Sequence, residues 1–408
     1  MASLRDHQEI ASLLKQLNER VNSLQDQHVE ADRVAAVKAA RDLMVALDTP
    51  QEALMKLVYA PTHALCVRIA IDLDLFKTLA EKDGPVTLEE LAAVKNADPV
   101  LVGRVLRVLT GIGYVTEHDE RAFKANKMTK HMTGRFAIAT SQFIWDGMPA
   151  LASIPEFLEK TKFKNPSGAA NGPFQYAEKI DVAIWDYLPN HPDKLDHCST
   201  FMEGDRGSRP SWLEWFPVKE QVIDGFNKEE GDVLLVDVAG GRGHDIGAFH
   251  KAFPDAPGRL VVEDLPHVVD DIQNLDPAVE RVKINMFEGQ PIKGARTYYM
   301  KFILHDWSDS ESRSILTHIA SAMKRGYSKF IIEEFILADK DCALLPAMWD
   351  WEMMVFCNSM ERTAKQWSEL LESVGMKVVK FWYPPGDGQG IIEAELKDDD
   401  EPVQNGAT

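Results

Sequence analysis

The chain has 408 residues, 45% of them hydrophobic, with no long Pro, Gly or Ser tract, so it can bury a large core and is expected to form two domains. Its 64 acidic against 45 basic residues give a net charge of -19, which opposes nucleic acid or an anionic membrane as partner. Cys66, Cys198, Cys342 and Cys357 are scattered without metal-ligand spacing, and no signal peptide or run of about 18 apolar residues is read, so a reduced, cytoplasmic protein without a metal centre is expected.

In residues 1–48, Leu13, Leu14, Leu17, Val21 and Leu24 recur at helical spacing in a polar segment, which predicts an accessory helix packed on the body or on a second subunit. The apolar pattern from Val58 to Ala80 predicts a long buried helix. Thr87 with Glu90 three residues on has the form of a capping box, a second helix is predicted over Pro99–Gly111, and Gly113–Glu117 has the pattern of a short strand. The unit over 49–125 is therefore a winged helix. Arg104 and Arg107 raise the possibility of DNA reading, but Val102, Val105, Leu106, Val108 and Leu109 dominate that helix and suit burial.

Residues 126–230 are helical and rich in aromatics, most of them core, some able to line a flat pocket. The turn-rich stretch Asn165–Pro173 has the composition of a cover between two helical stretches. His131 is either an ordinary surface histidine or a polar contact for a substrate carbonyl.

From residue 231 the pattern changes to alternating strands and helices, predicting an α/β domain over 231–396. Strands are predicted at 233–238, 259–264, 281–284, 297–301, 329–335, 376–383 and 390–396, the last two as an antiparallel hairpin joined by Pro384–Gly388. Residues 397–408 are acidic, then polar, and are expected to be disordered.

The first of these strands runs into Ala239-Gly-Gly-Arg-Gly243. Gly240, Gly241 and Gly243 allow a tight turn and close approach of a ligand to the backbone, ahead of a helix with unpaired N–H groups. About twenty residues later the second strand ends at Glu263-Asp264, a distance that suits a carboxylate accepting from ribose hydroxyls. No G-x-G-x-x-G is completed, since Ile246 stands at the last position, so a dinucleotide is disfavoured. Asp237 in the strand end can fix the loop or meet the cationic tail of S-adenosylmethionine (SAM).

Val236-Asp-Val-Ala-Gly-Gly-Arg-Gly-His-Asp245, Glu263-Asp-Leu-Pro-His-Val268, Lys301-Phe-Ile-Leu-His-Asp-Trp-Ser-Asp309 and Glu361-Arg-Thr363 resemble the motifs of SAM-dependent O-methyltransferases of the plant caffeate and fungal secondary-metabolite type. The resemblance spans about residues 55 to 396. It implies a Rossmann-like methyltransferase sheet of seven strands with the last antiparallel, an N-terminal winged-helix dimerisation domain, and a homodimer. It further implies cofactor contacts from Asn285, Met286, Phe287 and Lys301, a substrate wall at Phe201 and Met202, and catalysis by His305 as general base flanked by Glu334 and Glu361. With an ordinary pKa of about 6.5 the imidazole is expected to be neutral at pH 7, with one carboxylate holding its tautomer. Ser308 or Asp309 should cap the helix that follows, and Lys301 has the alternative of a snorkelling strand-end lysine. Two positions depart from the family pattern: Ala239 replaces the first glycine of the loop, and Asn285 replaces an aspartate that accepts from the adenine amine.

The expected activity is methyl transfer to a hydroxyl of an aromatic or polyketide-derived metabolite. A second expectation comes from fungal relatives that bind SAM without consuming it and steer dehydration and pericyclic cyclisation of pyridones, with Lys301 or His131 stabilising a substrate carbonyl. A third is a non-catalytic SAM-binding dimer.

Overall fold

The computed structural model describes residues 4–26, 29–168, 170–205 and 209–398. The tail expected to be disordered falls, from residue 399 on, outside the described residues. The chain divides into two compact units, Met1–Met148 with Leu188–Ser208, and Pro149–Tyr187 with Arg209–Thr408.

In the first unit the accessory segment is two helices rather than one, Leu4–Asp26 and Glu30–Leu47, packed on each other. The second helix starts afresh because Val29 is extended and Glu30 and Asp32 place negative charge in its first turn. Leu13, Leu17 and Leu24 are half-buried, while Leu14 and Val21 are exposed. The expected long buried helix over 58–80 is also divided, into Pro50–Tyr59, Pro61–Asp72 and Leu75–Ala80. Pro61 opens a new helix at its first position, and Asp74 in a left-handed conformation (φ 54°) separates the last two. Burial begins only at Val67; Leu54, Leu57, Val58 and Tyr59 are exposed. By length and composition Pro50–Asp72 would also suffice to cross a membrane, although Lys56, His63 and Arg68 interrupt its apolar run.

The winged helix forms as its capping signals dictate. Thr87 Oγ1 accepts from Glu90 N at 3.3 Å while Glu90 Oε2 accepts from Thr87 N at 2.8 Å. In Pro99–Gly111, Val102, Val105, Leu106 and Leu109 are buried and Arg104 and Arg107 exposed. Ala122–Lys124 is the central strand of a three-stranded antiparallel sheet, with Phe123 opposite both Val86 and Glu117. The strand expected at Gly113–Glu117 begins only at Thr116, because Gly113 (φ 78°) and the Tyr114 N to Leu109 O bond first close the preceding helix.

The second unit contains a seven-stranded sheet. Its strands are β1 (Val233–Val238), β2 (Arg259–Asp264), β3 (Val279–Lys283), β4 (Thr297–Lys301), β5 (Lys329–Glu334), β6 (Met376–Trp382) and β7 (Gly390–Leu396). They lie in the order β6-β7-β5-β4-β1-β2-β3, and β7 runs antiparallel to both its neighbours. All six residues of β1 are buried, as a central parallel strand covered on both faces requires. One face packs Val236, Val238, Met300 and Ile332 with Trp367; the other packs Leu235, Tyr299 and Ile331 with Trp212 and Phe249. Strand order reverses between β1 and β4, so the turns leaving these two strands emerge side by side at the place where open α/β sheets bind ligands.

Candidate active site and cofactor cradle

The turn after β1 is built from three left-handed residues, Ala239 (φ 56°), Gly241 (φ 59°) and Gly243 (φ 75°). Gly240 lies so close to Asp237 that a Cβ there would stand 2.5 Å from the Asp237 carboxyl carbon. Gly240 N donates to Glu263 O at 3.1 Å and Gly241 N to Asp264 Oδ2 at 2.8 Å, so the turn is tied to the end of β2. Asp264 Oδ1 accepts from Leu265 N at 2.7 Å. Burial raises the Asp264 carboxyl, and these two N–H bonds counter it. Helix His244–Ala252 then starts from Gly243, which has no side chain to cap it, and its N-terminus follows directly on the glycine turn.

Beside Asp264, Glu263 is fully buried and faces elsewhere: its Oε2 accepts from Gln290 Nε2 at 2.7 Å, and burial pushes it up to about 7. Gln290 belongs to the segment after β3 that carries Asn285, Met286 and Phe287. Asn285 Oδ1 accepts from Phe287 N at 3.1 Å and its Nδ2 donates to Glu288 Oε1 at 2.9 Å, so the amide holds a local turn. Phe287 meets Trp307 edge-on at 4.7 Å, which gives Trp307 its packing partner.

The snorkelling alternative for Lys301 fails. Its side chain is 9% exposed and its Nζ lies 3.3 Å from Asp245 Oδ1 and 3.1 Å from Glu333 Oε1. Glu333 is its cross-strand partner on β5, which pulls the ammonium inward.

The chain leaving β4 turns sharply at Phe302 (φ 52°) into the tight turn Leu304–Asp306. His305 is 3% exposed, and its Nδ1 lies 2.7 Å from Glu361 Oε1. Its ring stacks on Phe302 at 4.9 Å, and Phe302 stacks in turn on Trp349 at 5.2 Å. Glu334 plays a different part from Glu361: its Oε1 accepts from the Ile303 and Leu304 N–H groups at 3.1 and 2.7 Å. Asp306 Oδ1 lies 3.6 Å from His305 Nε2 and accepts from Cys357 Sγ at 3.4 Å.

These carboxylates overturn the expectation of a neutral imidazole at pH 7. Burial alone would depress His305, but Glu361 and Asp306, with a contribution from Glu334, outweigh it and hold the pKa up to about 10. Burial in turn pushes Glu334 up to about 7 and Asp306 up to about 6, each partly offset by His305. One His nitrogen and one oxygen each from Glu334 and Glu361 lie within 4.8 Å of one another, a donor set of the kind that can take a divalent ion. The 2.7 Å Nδ1–Oε1 separation is that of a charge-assisted hydrogen bond.

Ser308, not Asp309, caps the next helix: its Oγ accepts from Glu311 N and its N donates to Glu311 Oε2 at 3.0 Å. In the first unit, His131 ends the short helix Lys127–His131 and is exposed. Phe201 and Met202 lie on Pro192–Asp205, with Phe201 stacked on Phe143 at 5.0 Å and Met202 37% exposed. Residues that sequence reasoning passed over as site members are Phe302, Trp349, Asp306 and Arg362. Phe302, Asp306 and Arg362 sit next to singled-out residues, whereas nothing local marks Trp349.

The arrangement has known counterparts. Residues 214–377 match the O-methyltransferase domain and residues 56–134 the O-methyltransferase dimerisation domain. The O-methyltransferase penC of Penicillium thymicola is 37% identical over 391 residues, covering 95% of this chain and 97% of the relative. The chain belongs to the O-methyltransferase family. The O-methyltransferase asqD of Emericella nidulans is 39% identical over 337 residues, covering 82% of this chain and 87% of the relative. Among solved structures, LepI in complex with SAM matches with a TM-score of 0.87 at 25% identity, and a structure described as a pericyclic reaction enzyme with 0.86 at 25%. Each covers 96% of this chain and 100% of its own. The cofactor of this O-methyltransferase is therefore S-adenosyl-L-methionine, and its N-terminal unit carries a dimerisation domain. The glycine turn that a Cβ at Gly240 would fill, tied to the Asp264 carboxylate, fits that cofactor.

Proposed function

We propose that this O-methyltransferase methylates a hydroxyl of a flat aromatic or polyketide-derived metabolite, with His305 as the base. Asp237, Gly240, Gly241, Gly243, Asp264, Asn285, Met286 and Phe287 would hold the cofactor, and Lys301 would brace that site through Asp245. When bound, SAM supplies an electrophilic methyl group. His305 takes the hydroxyl proton at Nε2, while Glu361 keeps the Nδ1 proton and the ring orientation. The observation that carries this reading is the buried 2.7 Å pair between His305 and Glu361. A base held up to about 10 is matched to a phenol of about 10, so the proton moves with little loss of driving force.

At neutral pH the same imidazole is largely cationic, and this favours a second reading. A protonated His305 would donate a hydrogen bond to a substrate carbonyl and promote dehydration or pericyclic cyclisation with SAM bound but not consumed. Lys301 is a poorer candidate for that part, since Asp245 and Glu333 balance its charge. Leu54, Leu57, Val58 and Tyr59, exposed at the border of the dimerisation domain, suit burial against a second copy in a cytoplasmic homodimer. The charge of -19 argues against nucleic acid or anionic membrane partners.

His305→Gln and His305→Ala test the base. Methyl transfer to a hydroxylated aromatic acceptor should fall by about 10²–10⁴-fold, while SAM affinity stays near that of the wild type. Retained turnover in both variants would remove His305 from the mechanism.

A further inference from the structure

Arg362 follows Glu361 in the chain and is 1% exposed. A guanidinium has five N–H donors, no acceptor and a permanent charge, so burying it demands acceptors around its whole edge. Here Nη1 donates to Leu304 O at 2.9 Å, Nη2 to Trp307 O at 2.9 Å, and Nε and Nη2 both to Asp309 Oδ1 at 3.0 Å. Nη2 also lies 3.4 Å from Ser312 Oγ, and the group sits 5.2 Å over the Trp367 ring.

Leu304 O and Trp307 O flank His305 on its tight turn. A turn of three residues has few bonds of its own with which to hold a shape. Glu334 takes the N–H groups of Ile303 and Leu304, and Arg362 takes the carbonyls of Leu304 and Trp307. The backbone around His305 is thus gripped on its donors from β5 and on its acceptors from Arg362.

We infer that Arg362 is a positioning residue for His305: Glu361 orients the imidazole, and Arg362 fixes the turn on which the imidazole stands. The inference rests on the reading of His305 as the group that meets the acceptor. Lysine is no substitute, because one compact ammonium does not span two carbonyls and the Asp309 carboxylate in a fork.

The test uses the full chain with Arg362→Lys, Arg362→Gln and Asp309→Asn. Turnover is measured on a hydroxylated aromatic acceptor, SAM affinity by calorimetry, and the His305 ring by NMR after 15N-histidine labelling. Both Arg362 variants should lose about 10²-fold in kcat, with SAM affinity within about twofold of wild type and the His305 ring signals shifted or broadened. Asp309→Asn, on a residue whose side chain is 54% exposed, should show the same pattern more weakly. A purely structural Arg362 would lower the unfolding temperature and leave kcat and the His305 signals unchanged, and that result overturns the inference. If the Arg362 variants do not fold, unchanged kcat and ring signals in Asp309→Asn overturn it as well. Should the wild type transfer no methyl group, the proposed function fails, while the His305 signals still report whether Arg362 sets the turn.

Discussion

His305 Nδ1 lies 2.7 Å from Glu361 Oε1, with the imidazole 3% and the glutamate 2% exposed. The two residues are 56 positions apart in the chain, one from the turn after β4 and the other from the segment after helix Leu344–Cys357. In the proposed mechanism Glu361 keeps the Nδ1 proton, and Nε2 is the nitrogen that would meet the acceptor.

Glu361→Gln keeps the shape of the pair and removes its charge. The His305 pKa should then move down from about 10, because Glu361 supplies the largest attraction on the imidazolium. Above the wild-type inflection, where the imidazole is free base in both proteins, turnover should fall by about 10²-fold, the lower end of what a positioned base contributes. A pH–rate profile checks both; an unmoved inflection would mean that Glu361 does not set the base.

Asp264→Ala removes the acceptor of Gly241 N along with the expected ribose contact. SAM binding should weaken by about 1.5–3 kcal/mol, the range for hydrogen bonds to a charged group. Calorimetric titration with SAM reads this directly, and unchanged affinity would sink the assignment of Asp264.

Ala239→Gly should stabilise the protein. Ala239 sits at φ 56°, where an L side chain costs about 1–2 kcal/mol that glycine avoids, and the added freedom of the unfolded glycine offsets up to about 1 kcal/mol of it. A net gain of up to about 1 kcal/mol should appear as a higher urea midpoint. A lower midpoint would show that the turn holds alanine without strain.

Two groups of one cluster contribute stability that is lost as pH rises, His305 by losing its charge and Glu334 by gaining one. The folded pKa of His305, about 10, lies above the unfolded value of about 6.5. Its stabilisation is fully present below about pH 6.5 and is lost as pH rises through about 10. Glu334 is raised to about 7 by burial, so the folded state favours its protonated form and loses that contribution as pH rises through about 7. Glu334→Gln, which keeps an oxygen for the Ile303 and Leu304 N–H groups, should therefore be more stable relative to wild type at pH 8 than at pH 5. Urea midpoints at the two pH values measure it, and an equal difference at both would contradict burial of a titrating Glu334.

Much of this is legible in the sequence alone. Strands β1, β2, β4 and β7 fall where apolar runs between turn signals place them, because a strand buried inside a sheet covered on both faces has few alternatives to a short apolar run. The pairing of His305 with an acidic residue came from motif resemblance, and its geometry assigns that role to Glu361 rather than Glu334. The charge of His305 was not legible, since it depends on Asp306, Glu334 and Glu361 converging across about 55 residues of chain. The same holds for Lys301, whose burial follows from its register with Glu333 and from Asp245 beyond the glycine turn. At the N-terminus, apolar spacing gave helices, while their breaks at Val29 and Pro61 depended on local backbone choices that periodicity does not carry.

The most direct test of the central claim is incubation of the purified protein with methyl-labelled SAM and a panel of aromatic polyketides and hydroxypyridones, following both label and product masses. Methyl transfer with His305 as the base predicts label in an acceptor hydroxyl, formation of S-adenosylhomocysteine, and loss of both in His305→Gln. Conversion of an acceptor without label, by dehydration or isomerisation that still requires bound SAM, would contradict it.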